Sequence, residues 1–357
     1  MKKLEPIGKY IQLSDVRNTD LSVTTLLGVA ADKRYIPSVA NVNGTDLSKY
    51  KVIHQGQFAC NLMHVCRDGV LPVAMYKGEP AIISPAYPIF EVQDENNLLP
   101  EYLHMYLSRP EFDREAVFYA MKGIRGSLDW NDFIEMKIPI PDIDEQRKIV
   151  AEYQTIEKRI ENNNRLIKVL EETAQNIYHH TFVENIYPEN LPKGWKRGNI
   201  AEIAKIKSGK SIIEKRDSPS EVFQIPVAGA TGIIGYTENA NLNEKLLTTG
   251  RVGTLGVVNR YYEPIWAADN VIVIISKYYE FMYQILNGLD YNILTKLGVQ
   301  SLITKGDLEK YEIIIPNKNE IIDYENKVAP IVEIERLFNK ENKFLLKIKD
   351  LLLSKLS

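Results

Sequence analysis

"IPIPDIDEQRKIVAEY" runs from Ile138 to Tyr153, and "IIIPNKNEIIDYENKV" from Ile313 to Val328. Both begin as an apolar, strand-like run, meet a proline, turn through polar residues and open into a long helical pattern. Shifting the chain by 175 positions superimposes Asp132 on Asp307, Ile138 on Ile313, Ile140 on Ile315, Pro141 on Pro316 and Glu145 on Glu320. The chain makes the same strand–proline–helix joint twice, which is the signature of an internal duplication.

From about Asp144 to Phe182 there is neither proline nor glycine. Ile149, Tyr153, Ile156, Ile160, Asn163, Ile167, Leu170, Ala174 and Ile177 recur in steps of four and three, a narrow apolar seam over several heptads. At ~1.5 Å per residue the helix is a rod of roughly 55 Å. The second copy starts near Glu320 and places Tyr324, Val328, Ile331, Phe338, Leu345 and Leu352 on its seam. Pro330 and an out-of-place Glu335 predict a kink or stutter there. A helix with one narrow apolar stripe is not stable alone in water. The two copies are therefore expected to pair antiparallel, rather than each folding back separately onto its own domain.

The segments between the helices are mixed. "KVIHQGQFACNLMHV" and "AIISPAYPIFEV" read as strands. "PEYLHMYLSRPEFDREAVFYAM" reads as helix interrupted at Pro110, "NVIVIIS" as a buried strand and "YYEFMYQILN" as a helix. The expected fold is α+β: two α/β domains, residues 1–141 and 186–315, alternating with helices at 142–185 and 316–357.

Composition adds limits. Of 357 residues, 45% are hydrophobic and 25% charged, as in ordinary globular chains, and no apolar run approaches a membrane span. The start shows no signal peptide, and two cysteines make no disulfide framework, so a cytoplasmic protein is expected. The formal net charge of −3 argues mildly against a strong nucleic-acid binder. Charge is uneven, however: Lys193 to Arg216 holds eight Lys/Arg against Glu202 and Glu214.

Several motifs imitate chemistry. "AKIKSGKS" nearly spells a phosphate-binding loop, but Ala204 stands where its first glycine belongs, so ATP binding is not expected. "PDIDEQRK" has the letters of a nuclease cluster, but at a strand–helix joint Asp142, Asp144 and Glu145 are expected to cap the helix. Cys60, His64 and Cys66, read as a row on one strand face, do not close a tetrahedral metal site. Neither a methyltransferase motif nor a Gly-rich cofactor fingerprint is present. An enzyme built from two α/β domains would need convergent titratable groups, and the sequence assembles none.

The order of globular and helical segments resembles the specificity subunit of Type I restriction-modification systems. "LPKGWKRGNIAEIAKIKSGKS" resembles the opening of a target recognition domain and "GRVGTLGVVNRYYEPIWAADNVIVI" its central strands. "VIHQGQFACNLMHV" with "AIISPAYPIF" resembles the same region of a first recognition domain, and "IPIPDIDEQRKIV" the joint into the conserved helical spacer. The resemblance covers nearly the whole chain. It implies a non-catalytic subunit whose two recognition domains each read one half of a bipartite site in double-stranded DNA. Its paired helices set the spacing and recruit two methyltransferase subunits, and through them a restriction–translocase subunit. Cofactors then belong to partners: S-adenosylmethionine in the methyltransferase, ATP and Mg in the restriction subunit. The alternative is a coiled-coil scaffold or architectural DNA-binding protein without sequence specificity.

Base readout requires donors and acceptors presented to base edges. Candidate DNA contacts are Lys122 and Arg125 before the first joint, Lys296 and Gln300 before the second, Lys207, Lys210, Lys215 and Arg216 in the basic stretch, and Arg251, with Asn41 and Asn43 behind them. Candidate helix-pairing residues are Ile149, Ile156, Ile160, Ile167, Leu170, Ile331, Phe338, Leu345 and Leu352.

Overall fold

A computed structural model describes residues 4–40, 42, 44–122, 126–252, 255–294 and 302–356. Arg125, Lys296, Gln300, Asn41 and Asn43 lie outside the described residues. The chain divides into two compact units, one of residues 1–162 with 341–357, the other of residues 163–340. Two helices of great length, Ile143–Phe182 and Lys318–Ser354, each contribute to both units.

The duplication is visible element by element. A short helix, Trp130–Glu135 in one unit and Lys305–Glu309 in the other, precedes the strands Lys137–Pro139 and Glu312–Ile315. Each of these strands pairs antiparallel with the strand that opens its own unit's mixed α/β region. Leu4–Pro6 lies against Lys137–Pro139, and Lys196–Asn199 against Glu312–Ile315. The joint then caps the helix. Asp142 Oδ1 accepts from the Glu145 N–H at 2.9 Å, and Asn317 Oδ1 from the Asn319 N–H at 3.0 Å. These side chains satisfy donors that a helix start otherwise leaves open; of the three acids expected to cap the first long helix, Asp142 is the one seen to accept a helix N–H. Asp144 pairs locally with Arg147.

Each unit carries a main antiparallel sheet of the same order. In the first unit the strands run Ile11–Ser14, Ile89–Val92, Phe58–Cys60, Val73–Met75; in the second, Lys205–Ser208, Val271–Ile275, Leu246–Gly250, Val258–Tyr261. A second sheet, of four strands in the first unit and three in the second, stands beside each and contains one parallel pair, Leu26–Val29 with Ala81–Ile83, and Ile225–Gly229 with Trp266–Ala267. Two expected strands divide here. "KVIHQGQFACNLMHV" becomes Lys51–Ile53 and Phe58–Cys60 in different sheets, because Gly56 turns the chain at φ +86°, and then a short helix, Val65–Asp68. Cys66 sits on that helix, so the expected strand row of Cys60, His64 and Cys66 does not exist. "AIISPAYPIFEV" likewise splits at its prolines into Ala81–Ile83 and Ile89–Val92. The helical stretch breaks as read, into Pro100–Leu107 and Pro110–Ala120.

The long helices pair antiparallel within each unit. In the first, Arg159 grips Glu341 with two bonds of 2.9 and 3.0 Å, and Lys349 meets Glu157 at 2.8 Å. In the second, the Tyr324 hydroxyl reaches the Ala174 carbonyl at 3.4 Å. The seam also belongs to the globular cores. Val150, Tyr153, Leu353 and Leu356 join the core of the first unit around Phe58, Phe90 and Phe133. Ala174, Phe182, Ile321, Tyr324 and Val328 join that of the second around Phe281. Pairing with the twin and folding onto a domain are thus both realised. Of the expected seam residues, Ile149, Ile156, Ile160, Ile167, Leu170, Ile331, Phe338, Leu345 and Leu352 are half-buried and Tyr153, Asn163, Ala174, Tyr324 and Val328 are buried; Val150 and Val332, which were not expected on the seam, are buried too.

Glu335 is not out of place. It lies on the seam, 8% exposed, because Arg260 from the strand Val258–Tyr261 meets it at 2.9 Å. Arg260 also approaches Glu280 at 3.7 Å and stacks over the Tyr283 ring at 3.8 Å. Helical residues continue through Pro330, which is exposed.

Beside this cluster the Glu325 carboxylate accepts the Phe281 N–H at 2.8 Å. Burial pushes Glu325 up to about 7; the Phe281 N–H opposes the shift and the Glu280 charge adds to it. A folded-state pKa above the ordinary carboxylate value means that the contribution to stability is complete below about 4.5 and is lost as pH rises through 7. Glu325→Gln is expected to flatten stability between pH 5 and 8 and to exceed the native protein at pH 8 by on the order of 2 kcal/mol; urea unfolding across that range checks it. Tyr324→Ala should destabilise by about 3–5 kcal/mol through the cavity it leaves. Arg159→Ala, at a solvent-exposed ion pair, should leave the midpoint nearly unchanged.

Candidate nucleic-acid interface

The described basic candidates fall into two groups. Four have partners. Lys122 follows the helix Pro110–Ala120 and lies over the Phe118 and Tyr119 rings at 5.3 and 5.4 Å. Lys207, on the strand Lys205–Ser208, pairs with Glu244 at 3.0 Å. The Lys215 ammonium donates to the Ile234 carbonyl at 2.9 Å, and Arg216 pairs with Glu214 at 2.8 Å while stacking over Phe223. The side chains of Lys210 and Arg251 make no hydrogen bond or ion pair among the described residues.

Lys210 and Arg251 are far apart in sequence but share one end of the main sheet of the second unit. Gly209 N–H donates to the Val271 carbonyl at 3.2 Å, Lys210 N–H to Ala267 at 2.9 Å and Arg251 N–H to Asn270 at 2.9 Å. Both residues therefore bracket the turn between Ala267 and Val271. That turn is fixed from behind. Asn241 bonds both the N–H and the carbonyl of Ala267, at 2.8 and 3.1 Å, and Trp266 Nε1 donates to the Lys210 carbonyl at 3.0 Å. It presents exposed Asp269 and Asn270. The result is a hydrogen-bonded platform with two cations unengaged among the described residues and a mixed set of donors and acceptors, chemistry suited to phosphate anchoring and base-edge reading.

Sequence reasoning missed Asn270. Its signal was present, an Asp-Asn pair opening the buried strand "VIVII", but nothing local ties it to Lys210. It also missed the matching place in the first unit, where Cys60 N–H bonds the Pro88 carbonyl at 3.2 Å and Asn61 follows, bonded through Nδ2 to the Tyr87 hydroxyl at 3.2 Å.

The near-miss phosphate loop is occupied by its own sheet. The N–H groups of Gly209 and Lys210 are engaged by Val271 and Ala267, so they do not form the amide cradle that phosphate requires. Gly209 is needed for close approach: a Cβ there would lie 1.8 Å from the Ala268 carbonyl oxygen. A hollow of about 540 Å³ in the same unit is lined by Tyr178, Phe182, Phe281, Ile285 and Tyr311, and by none of the basic candidates.

Gly209→Ala is expected to push the Ala267–Val271 turn aside, lowering the melting temperature and accelerating hydrogen exchange at the amides of Gly209, Lys210 and Arg251. Unaltered exchange there would contradict the close approach.

Residues 192–334 match the model of the Type I restriction modification DNA specificity domain. Among curated relatives, the Type I restriction enzyme MjaIX specificity subunit of Methanocaldococcus jannaschii is 24% identical over 323 residues, covering 75% of this chain and 72% of that protein. The putative MjaX specificity subunit of the same organism is 21% identical over 215 residues, 57% of this chain, and the match spans about half, 49%, of that relative's length. The crystal structure of a Type I restriction-modification S subunit from M. genitalium shares the fold, with a TM-score of 0.62 at 16% identity, over 100% of this chain and 96% of that one. No helix among the described residues is long and apolar enough to cross a membrane. Residues 192–334 are thus similar to the Type I restriction modification DNA specificity domain, and over three quarters of its length the chain is similar to a specificity subunit of such a system.

Proposed function

We propose that this chain is the non-catalytic, DNA-reading subunit of a Type I restriction-modification assembly. Each recognition region reads one half of a bipartite duplex target, and the paired long helices form the spacer and the seat for two methyltransferase subunits, which in turn engage the restriction subunit. S-adenosylmethionine is then held by the methyltransferase, and ATP with Mg by the restriction subunit. The cytoplasm, where the DNA is, is the proposed compartment. The observation that carries this reading is the twofold occurrence of one strand–sheet–joint–helix topology, with the second copy matching a DNA specificity domain. A duplicated frame with divergent surfaces suits two half-sites of different sequence. The chain's modest negative charge is compatible with such a role when partner subunits supply much of the phosphate contact.

The test is to assemble the full chain with its modification subunits and map methylated adenines in genomic DNA. Lys210→Ala and Arg251→Ala should weaken or relax recognition of one half of the split site and leave the other half intact. The loss should be about 1–3 kcal/mol for a contact that reads a base, whereas a pure phosphate contact should reduce the salt slope by about one. The purified chain alone should neither methylate nor cleave. Unchanged half-sites in both variants would remove the Ala267–Val271 platform from the interface.

A further inference from the structure

Ile213 is the most exposed large apolar side chain among the described residues, 99% accessible. It sits at a bend within "SGKSIIEKR", between two fixed feet. On one side the backbone of Lys210 is held by Ala267 and by Trp266 Nε1, and the Ser211 hydroxyl donates to Asp269 at 2.7 Å. On the other, Arg216 and Tyr236 exchange backbone bonds of 2.9 and 2.8 Å, and the Lys215 ammonium holds the Ile234 carbonyl. Gly235 lets this second foot close, since a Cβ there would lie 2.8 Å from the Arg216 carbonyl oxygen.

A loop pinned at both ends with so few residues between cannot turn Ile213 inward. Full burial of an isoleucine is worth about 1.5–3 kcal/mol, and none of that is realised here. Nothing in the fold gains from an isoleucine at this tip; a serine would serve the turn as well. The hairpin that holds the second foot also exposes Ile233 and Ile234, at 48% and 39%. Lys210, Lys215 and Arg216 flank Ile213 in the loop, with Arg216 paired to Glu214 at 2.8 Å and Lys215 to Asp217 at 3.8 Å. Lysine is depleted from protein–protein interface cores. An aliphatic tip rimmed by cations instead fits a DNA groove, where phosphates take the cations and an aliphatic side chain enters between base steps.

We propose that Ile213 is a DNA wedge: the loop of residues 210–216 enters a groove of the half-site read by the second unit, and Ile213 partly unstacks one base step. This rests on the DNA-reading function proposed above. It adds a specificity determinant that works through the deformability of a step rather than through hydrogen bonds.

The experiment uses the full chain assembled with its modification subunits, and a duplex carrying the target mapped by methylation sequencing. 2-Aminopurine, whose fluorescence rises on unstacking, replaces adenine at successive half-site positions or in the strand opposite. The native assembly should raise fluorescence several-fold at one step. Ile213→Ala should abolish the rise and weaken target binding about tenfold without changing the salt slope, and Ile213→Phe should retain both. Melting of Ile213→Ala should match the native protein, because the side chain touches nothing. Target binding without a rise at any step would overturn the wedge and leave the specificity reading intact. So would an Ile213→Ala assembly that binds and unstacks as the native one does, or one that fails to assemble with its modification subunits, which would make the loop a protein contact. Absence of any target preference in the native assembly would sink the specificity reading and the wedge together.

Discussion

The structure depends on burying one apolar stripe along each long helix. Neither stripe is wide enough to hold a helix in water alone, and each is used twice. At its start Ile143–Phe182 completes the core of the first unit with Val150 and Tyr153, and at its end that of the second with Ala174 and Phe182. Lys318–Ser354 does the reverse, with Tyr324 and Val328 first and Leu353 and Leu356 last. The mixed α/β regions are thus continuous with the helix pair through shared hydrophobic packing. Phe182, Phe281 and Tyr324 meet with ring centroids 5.0 to 6.5 Å apart, so a change in the seam is a change in the core of the second unit itself.

Polar chemistry then fixes direction where apolar burial alone is permissive. The Asp142 and Asn317 caps set where each helix begins. Arg260, buried between Glu335 on the seam and Glu280 on the helix Tyr279–Asn287, fixes the register of the second long helix against the sheet that carries Arg251. Breaking such a pair on one side leaves a buried charge without compensation, so the cluster specifies one arrangement more than it adds net stability. In the first unit Lys33 plays a comparable part. It holds Asp113 at 2.8 Å and the Leu107 carbonyl at 2.5 Å, and so ties the small sheet to two helices.

The duplication was legible in the sequence, because proline, cap and heptad seam are local patterns. A shift of 175 predicts the starts of both long helices, Ile143 and Lys318, and of both preceding strands, Lys137 and Glu312. What escaped was non-local. Ala81–Ile83 reads as strand from the sequence, but its parallel partner Leu26–Val29, more than fifty residues away, does not. Glu335 looked like a flaw in the seam because its partner stands 75 positions upstream. The basic stretch announced a charged surface, but its sequence could not separate Lys207, Lys215 and Arg216, which have partners, from Lys210, which has none among the described residues.

The division of the chain into units carries a consequence for how it folds. Residues 163–340 form their unit without interruption, whereas residues 1–162 close their core with 341–357, including Leu353 and Leu356, which follow the whole second unit in sequence. One unit is nested inside the other as an insertion. As the chain leaves the ribosome, the inner unit has all of its parts before the outer one does. The outer unit waits with Tyr153 and Val150 unsealed until the last helical turns arrive. Its long-range closure sets the slower step, and during that wait its core is the part of the nascent protein most in need of protection.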